Sequence, residues 1–349
     1  MTHWIKTALL GLVILSTACQ PDAFFTEKPE VLYIRRDGAD MPAYIYGNTD
    51  SKVLMLIVHG GPGGNGLEYR TGSFAEAMEK DYGMVYWDQR GQGSSHGKFD
   101  ESSLTIATLV EDLHFLVETL KSHYGADTKI FMFGHSWGGT LSTAYMLTDE
   151  YQKDIAGWLE VDGAHDLPLL NREAILMYRS IAQQEVNKGG ENEVRWQEIL
   201  DFANGVDINN ITDEESGQIN SFGFEAEGIL EDVFSPEDPP TPGLMEFLFG
   251  SPTNPLTSFL AGNATNSALN DEIEQTAFTQ QFNKVEIPVI FLWGKYDFVV
   301  PPALAYTAFN WTASPDKELV IFEHSGHSPM ANEPELFTKA VRDFIEKHR

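Results

Sequence analysis

Cysteine is nearly absent. The 349-residue chain has a single one, Cys19, so no disulfide can form within it and an oxidising compartment would add no covalent staple. Basic residues are scarce as well, 23 Lys plus Arg against 52 Asp plus Glu, for a formal charge of −29. A surface of that sign repels phosphate backbones and anionic head groups, which argues against nucleic acid as a partner. It attracts cationic substrates only where acidic residues line a site; elsewhere it keeps the protein in solution. There is no fixed-period repeat, heptad pattern or low-complexity tract, which argues against a solenoid or a disordered chain. No pair of histidines has metal-ligand spacing on a helix, so no zinc site is expected.

What is present begins with a leader-like segment. Residues 1–6 carry one Lys, residues 8–15 are almost wholly apolar, and Ser16-Thr17-Ala18 supply small residues before Cys19. That span is too short for a transmembrane helix and reads as a signal peptide over residues 1–18. Its end resembles a bacterial lipobox, with Ser16 where the pattern favours Leu, here one place earlier at Leu15. The expectation is export to the cell envelope or periplasm, with a lipid anchor at Cys19 and residues 19–29, including Pro21 and Pro29, as a tether.

The remaining chain, within a sequence 42% hydrophobic and 12% aromatic, is long enough for a full core plus an insertion. Residues 31–46 alternate loosely, as antiparallel first strands of a mixed sheet would. Residues 53–58 (VLMLIV), 84–87, 129–133 (KIFMF), 155–161, 289–293 (VIFLW) and 318–322 (ELVIF) are short apolar runs that stop at glycine or charged turns. Such runs fit strands buried on both faces. Residues 104–124 follow a helical period, with Leu109, Leu113, Leu116, Val117 and Leu120 on one face; further helices are expected at 140–147 and 333–348. Between 164 and 283 the pattern turns mainly helical, with acidic and Pro-rich connectors. The predicted architecture is α/β, a mostly parallel sheet flanked by helices, with core segments 30–163 and 284–349 and a helical cap at 164–283.

In such sheets the site lies beyond the carboxyl ends of the strands. Gly134-His135-Ser136-Trp137-Gly138-Gly139 follows KIFMF directly and matches the G-x-S-x-G nucleophile elbow. A serine hydroxyl needs a base. His327, in Ser325-Gly326-His327-Ser328-Pro329 after the last strand, is the candidate, with His324 as its rival; His59 and His135 fit as loop-shaping residues. The base needs an acid to fix its tautomer. Asp297 follows the strand ending at Trp293, and Asp162, ending an earlier strand, is the structural alternative. The order Ser136, Asp297, His327 is that of α/β-hydrolases. Oxyanion donors are expected at the N–H of Trp137 and in the turn His59-Gly60-Gly61-Pro62-Gly63, at Gly60 or Gly61. That turn lacks the Lys-Ser/Thr ending of a phosphate loop.

Together HGGPGG (59–64), DQRGQGSS (88–95), GHSWGG (134–139), GKYD (294–297) and SGHSP (325–329) resemble the proline iminopeptidase branch of the α/β-hydrolases. The resemblance spans about residues 30–163 and 284–349. It implies acyl transfer through a Ser-His-Asp triad with no metal or organic cofactor, and release of an N-terminal residue, often proline, from a small peptide whose free α-amine is held by cap carboxylates. Glu225 and Glu227, in Phe222-Gly223-Phe224-Glu225-Ala226-Glu227, are the stand-ins for those carboxylates, against a reading as solvated acidic surface. An exported carboxylesterase or lactonase acting on a small acyl substrate is the alternative, and a non-catalytic surface binding protein is the alternative of another class.

Overall fold

The continuous apolar runs become strands, buried on both faces in the centre of the sheet, while the run at 318–322 forms a half-buried edge strand. The computed structural model describes residues 28–148, 150–230 and 267–349, so the expected leader, Cys19 and most of the tether lie outside the described residues. The strands are β1 (Glu30–Arg36), β2 (Ala39–Gly47), β3 (Val53–Val58), β4 (Gly83–Trp87), the two-residue β5 (His96–Gly97), β6 (Lys129–His135), β7 (Gly157–Val161), β8 (Val289–Gly294) and β9 (Lys317–Phe322). They form one sheet in the order β1-β2-β4-β3-β6-β7-β8-β9, with β5 paired to β2. The β1–β2 hairpin and the β2–β4 pair are antiparallel, and from β4 to β9 every pair is parallel.

Side-chain alternation splits each central strand between two apolar layers. On β3, Leu54, Leu56 and Val58 face one layer and Val53, Met55 and Ile57 the other; on β6, Ile130 and Met132 oppose Phe131 and Phe133. The first layer is closed by α2 (Ile106–Tyr124), α3 (Trp137–Met146) and α8 (Ala303–Trp311). The second is closed by α1 (Gly72–Asp81) and α9 (Pro334–His348), where Phe74 and Met78 meet Phe337, Val341 and Phe344. A fully buried side chain of this size contributes about 1.5–3 kcal/mol, so these layers rather than strand propensity hold the sheet. The helices at 72–81 and 303–311 are additions to the sequence expectation, and α3 begins at Trp137 rather than at 140.

The insertion is visible as a loop pinched at its neck. Asp166 bridges Ala277, the Leu167 N–H donates to the Thr276 carbonyl at 2.9 Å, and the Phe278 N–H donates to the His165 carbonyl at 3.0 Å. From that neck rise α4 (Leu167–Lys188), α5 (Glu193–Gly205) and α6 (Asp213–Ile229), with α7 (Ser267–Glu274) on the return. Tyr178, Trp196, Ile199 and Ile219 give α4–α6 a small core of their own, into which Phe298 projects from the main domain. Two of these helix starts are marked in sequence: Asp166 caps α4 through Leu169 N–H, and Thr212 with Glu215 forms a capping box on α6. At the carboxyl-side boundary Phe282 packs against Trp158 and Phe291 of the main core, so residues up to 283 do not all belong to the cap.

Candidate active site

The elbow is built by steric necessity. Ser136 sits between β6 and α3 at φ +56 and ψ −123, a strained conformation for a residue with a side chain. Its neighbours must be glycine: a Cβ on Gly134 would lie 2.1 Å from Ser142 Oγ, and one on Gly138 only 1.9 Å from the Val58 carbonyl oxygen of β3. The strain is held by three backbone bonds, from Ser136 N–H to the Val161 carbonyl and from the Gly139 and Ala164 N–H groups to the Ser136 carbonyl. Ser136 is half-buried among fully buried neighbours, and Trp137 opens α3, so its N–H is among those a helix start leaves without an intrahelical acceptor.

Asp297 and His327 come together. His327 Nδ1 lies 2.9 Å from Asp297 Oδ2, while Asp297 Oδ1 accepts the N–H groups of Val299 and Val300 at 2.9 and 2.7 Å. Because a carboxylate can only accept, Nδ1 carries the proton. His327 Nε2 has no hydrogen-bond partner among the described residues. Burial pulls the His327 pKa down and prevails over the opposing pull of the acidic groups around it, so the ring is neutral at rest. The rival His324 is exposed, its N–H given to Glu333.

The glycine turn, the elbow and the histidine loop are joined by one chain of hydrogen bonds. His135 Nε2 lies 2.7 Å from the His327 carbonyl oxygen and must donate to it; His135 Nδ1 then accepts from the Tyr69 hydroxyl at 2.6 Å, and that hydroxyl oxygen accepts the Gly60 N–H at 2.9 Å. Burial, then the neighbouring His327, bring the His135 pKa down to about 3, which keeps this tautomer neutral. Gly60 is thereby corrected as an oxyanion donor, because its N–H is spent on Tyr69. Gly61, at φ +130, has an N–H without a partner among the described residues. Gly60 still shapes the site, since a Cβ there would stand 3.1 Å from Ser136 Cβ.

The DQRGQG segment braces this turn from behind. Gln89 donates to the His59 carbonyl and accepts from the Trp137 indole, both at 2.9 Å, and Gln92 Oε1 accepts the Gly63 N–H at 2.7 Å. His59 Nδ1 donates to the Gly60 carbonyl at 2.8 Å; burial brings its pKa down to about 4. Asp88 accepts N–H groups from Gly66 and Ser94, and Arg90 is locked by a buried two-point pair with Asp112 at 2.6 and 2.7 Å.

The two cap glutamates part ways. Glu225 is turned to Arg195 on α5, with which it forms an ion pair, and does not reach the site. Glu227 does: it accepts the N–H groups of His327 (3.0 Å) and Phe298 (3.1 Å), and fits only because position 326 is glycine, whose Cβ would meet Glu227 Oε2 at 2.3 Å. Burial raises the Glu227 pKa, partly offset by the nearby His327. The sequence reading missed Tyr69 and Phe224. Phe224 is exposed on α6, and its ring stands edge-on to His327 with centroids 6.0 Å apart.

The sheet order, the serine elbow and the loops that close on it define an α/β-hydrolase, and the chain is an enzyme of that class. Its relatives lie in the proline iminopeptidase-like branch. Residues 49–183 match the family model described as serine aminopeptidase, S33. The chain is 27% identical over 316 residues to the proline iminopeptidase of Saccharolobus solfataricus, covering 90% of this chain and 92% of the relative. It is 24% identical over 311 residues to a probable aminopeptidase of Bacillus subtilis, covering 84% and 89%. The solved structure of proline iminopeptidase from Mycobacterium smegmatis shares the fold, with a TM-score of 0.57 over 91% of this chain and 98% of that one at 15% identity.

Proposed function

We propose that the protein is a serine aminopeptidase of proline iminopeptidase type, with Ser136 as nucleophile, His327 as base and Asp297 as the acid that orients it. The observation that carries this reading is the His327–Asp297 contact of 2.9 Å, with the His327 ring packed on His135, the residue before Ser136, and its Nε2 left without a partner among the described residues. The neutral imidazole takes the Ser136 proton at Nε2 as the oxygen attacks a carbonyl carbon. The Gly61 and Trp137 N–H groups receive the developing oxyanion, a role in which one donor is worth roughly 3 kcal/mol. His327 then returns the proton to the leaving amine, and water releases the acyl group by the same steps. No step requires a metal or an organic cofactor.

For the substrate, Glu227 is the cap carboxylate that reaches the site, and a carboxylate has about four lone-pair positions, so a free α-amine finds an acceptor there beside its backbone donors. Phe224 offers an apolar edge at the same mouth. The test is hydrolysis of a proline anilide with its amine free or blocked, set against an acyl ester of similar size. Preference for the free amine, lost in Glu227→Gln as a rise in KM, supports the aminopeptidase; equal cleavage of the blocked substrate turns the assignment to an esterase. We also propose that residues 1–18 direct export and that Cys19 carries a lipid, checked by fractionating cells that express the full chain or Cys19→Ala.

A further inference from the structure

Three carboxyl groups crowd one imidazole in this site. Asp297 bonds His327 Nδ1, Glu227 accepts the backbone N–H of His327, and Asp162 brings a carboxylate oxygen within 4.8 Å of ring nitrogens of both His135 and His327. Asp162 and Asp297 are fully buried, and like charges sharing a dry site cannot both persist without a large cost. One of them must hold a proton. Asp297 has clear use for its charge, with two backbone N–H groups on one oxygen and the imidazole on the other. Asp162 does not: Oδ1 accepts the Gly294 N–H at 2.9 Å, and Oδ2 has no partner among the described residues. Two ionised carboxylates offer no hydrogen to each other, whereas a protonated Oδ2 has a carboxylate within reach in Asp297. Burial and the Asp297 charge both push the Asp162 pKa well up, in the same sense. Asp162 is also held at φ +43, one of four non-glycine residues with positive φ among the described residues, so the chain bears local strain to place this carboxyl at the end of β7.

We propose that Asp162 is a positioning residue of the site, a neutral carboxylic acid whose Oδ2–H donates to the Asp297 carboxylate and fixes it against His327 Nδ1. This rests on the reading of Ser136, His327 and Asp297 as the reacting triad. The other titratable groups facing the pair are Glu227 and Tyr178 from the cap helices, Tyr69 and His135 from the elbow side, and the buried Glu160 on β7.

Asparagine is the deciding substitution, because it copies a protonated aspartate. Its amide oxygen accepts the Gly294 N–H, its NH₂ donates to Asp297, and it tolerates positive φ. Asp162→Asn is expected to keep kcat within about threefold of the parent enzyme, whereas Asp162→Ala, lacking the donor, loses about 10–100-fold in kcat with KM unchanged. Removing the donor also leaves the Asp297 charge less stabilised. The acid limb of kcat/KM then moves to higher pH in the alanine variant and stays in place in the asparagine variant, a shift that a merely structural role does not produce. An asparagine variant as impaired as alanine, or an alanine variant as active as the parent, overturns the proposal. Should the alanine variant not fold, the difference infrared spectrum of parent minus Asp162→Asn at neutral pH decides. A protonated-carboxyl stretch is expected, and its absence refutes the neutral acid. Ser136→Ala is run alongside: turnover in that variant brings down the triad itself, while a dead Ser136→Ala with a fully active Asp162→Ala brings down this inference alone.

Discussion

Replacing Asp297 by asparagine exchanges one oxygen for an NH₂ group, and the structure dictates which way the amide turns. The Val299 and Val300 N–H groups hold Oδ1 at 2.9 and 2.7 Å, so the amide oxygen takes that place and the nitrogen faces His327 Nδ1. Two donors cannot meet, so Nδ1 gives up its proton and the imidazole adopts the tautomer protonated at Nε2. That nitrogen can then no longer accept the Ser136 proton. The same exchange in a well-studied serine protease lowers kcat about 10⁴-fold with the geometry intact, which corresponds to roughly 5.5 kcal/mol of barrier. We expect a loss of that order here, read as kcat at saturating substrate and, independently, as the rate of labelling by a fluorophosphonate. Thermal unfolding should be little changed, since a buried charge is removed while its backbone donors keep an acceptor. A loss of less than about tenfold would refute this assignment of the acid.

Three further outcomes test the framework around it. Gly138→Ala puts a Cβ 1.9 Å from the Val58 carbonyl oxygen, so the elbow must part from β3, and a loss of about 3 kcal/mol or more in chemical denaturation is expected. Tyr69→Phe strands the Gly60 N–H and His135 Nδ1, and should cost about 1–3 kcal/mol of stability together with a fall in kcat as the glycine turn loosens. In the pH profile, burial lowers the His327 pKa below the 6.5 of a free imidazole. The base is neutral above its folded pKa, so kcat/KM should hold steady from neutrality down through 6.5 and fall only below it; an acid limb above 6.5 would mean that the surrounding carboxylates outweigh burial.

Much of this fold was legible because its central strands are short apolar runs buried on both faces, and each ends at a glycine-bearing motif. The run 53–58 coincides with β3, and the serine, aspartate and histidine segments all follow strands of the parallel sheet. What escaped the reading depends on contacts far apart in the chain. Nothing local marks Tyr69 as the partner of Gly60 and of His135, 66 residues on. Glu227 meets the His327 backbone across 100 residues, set by how α6 lies on the main domain, whereas its neighbour Glu225 faces Arg195. The helix at 72–81 is only ten residues long and opens at a glycine, so it carries fewer periodic positions than the 19-residue helix at 106–124. Near the expected cap boundary at 283, Phe282 looks like any cap hydrophobe until its ring is seen against Trp158 and Phe291.

The central claim is that Ser136 is the nucleophile, and covalent capture tests it most directly. The full-length protein is treated with a fluorophosphonate, digested, and the modified peptide sequenced by mass spectrometry, with Ser136→Ala in parallel. The account expects a single adduct on Ser136 and none in the variant, which should unfold at the same temperature as the parent. An unlabelled parent protein, or a label that persists in Ser136→Ala, would contradict it.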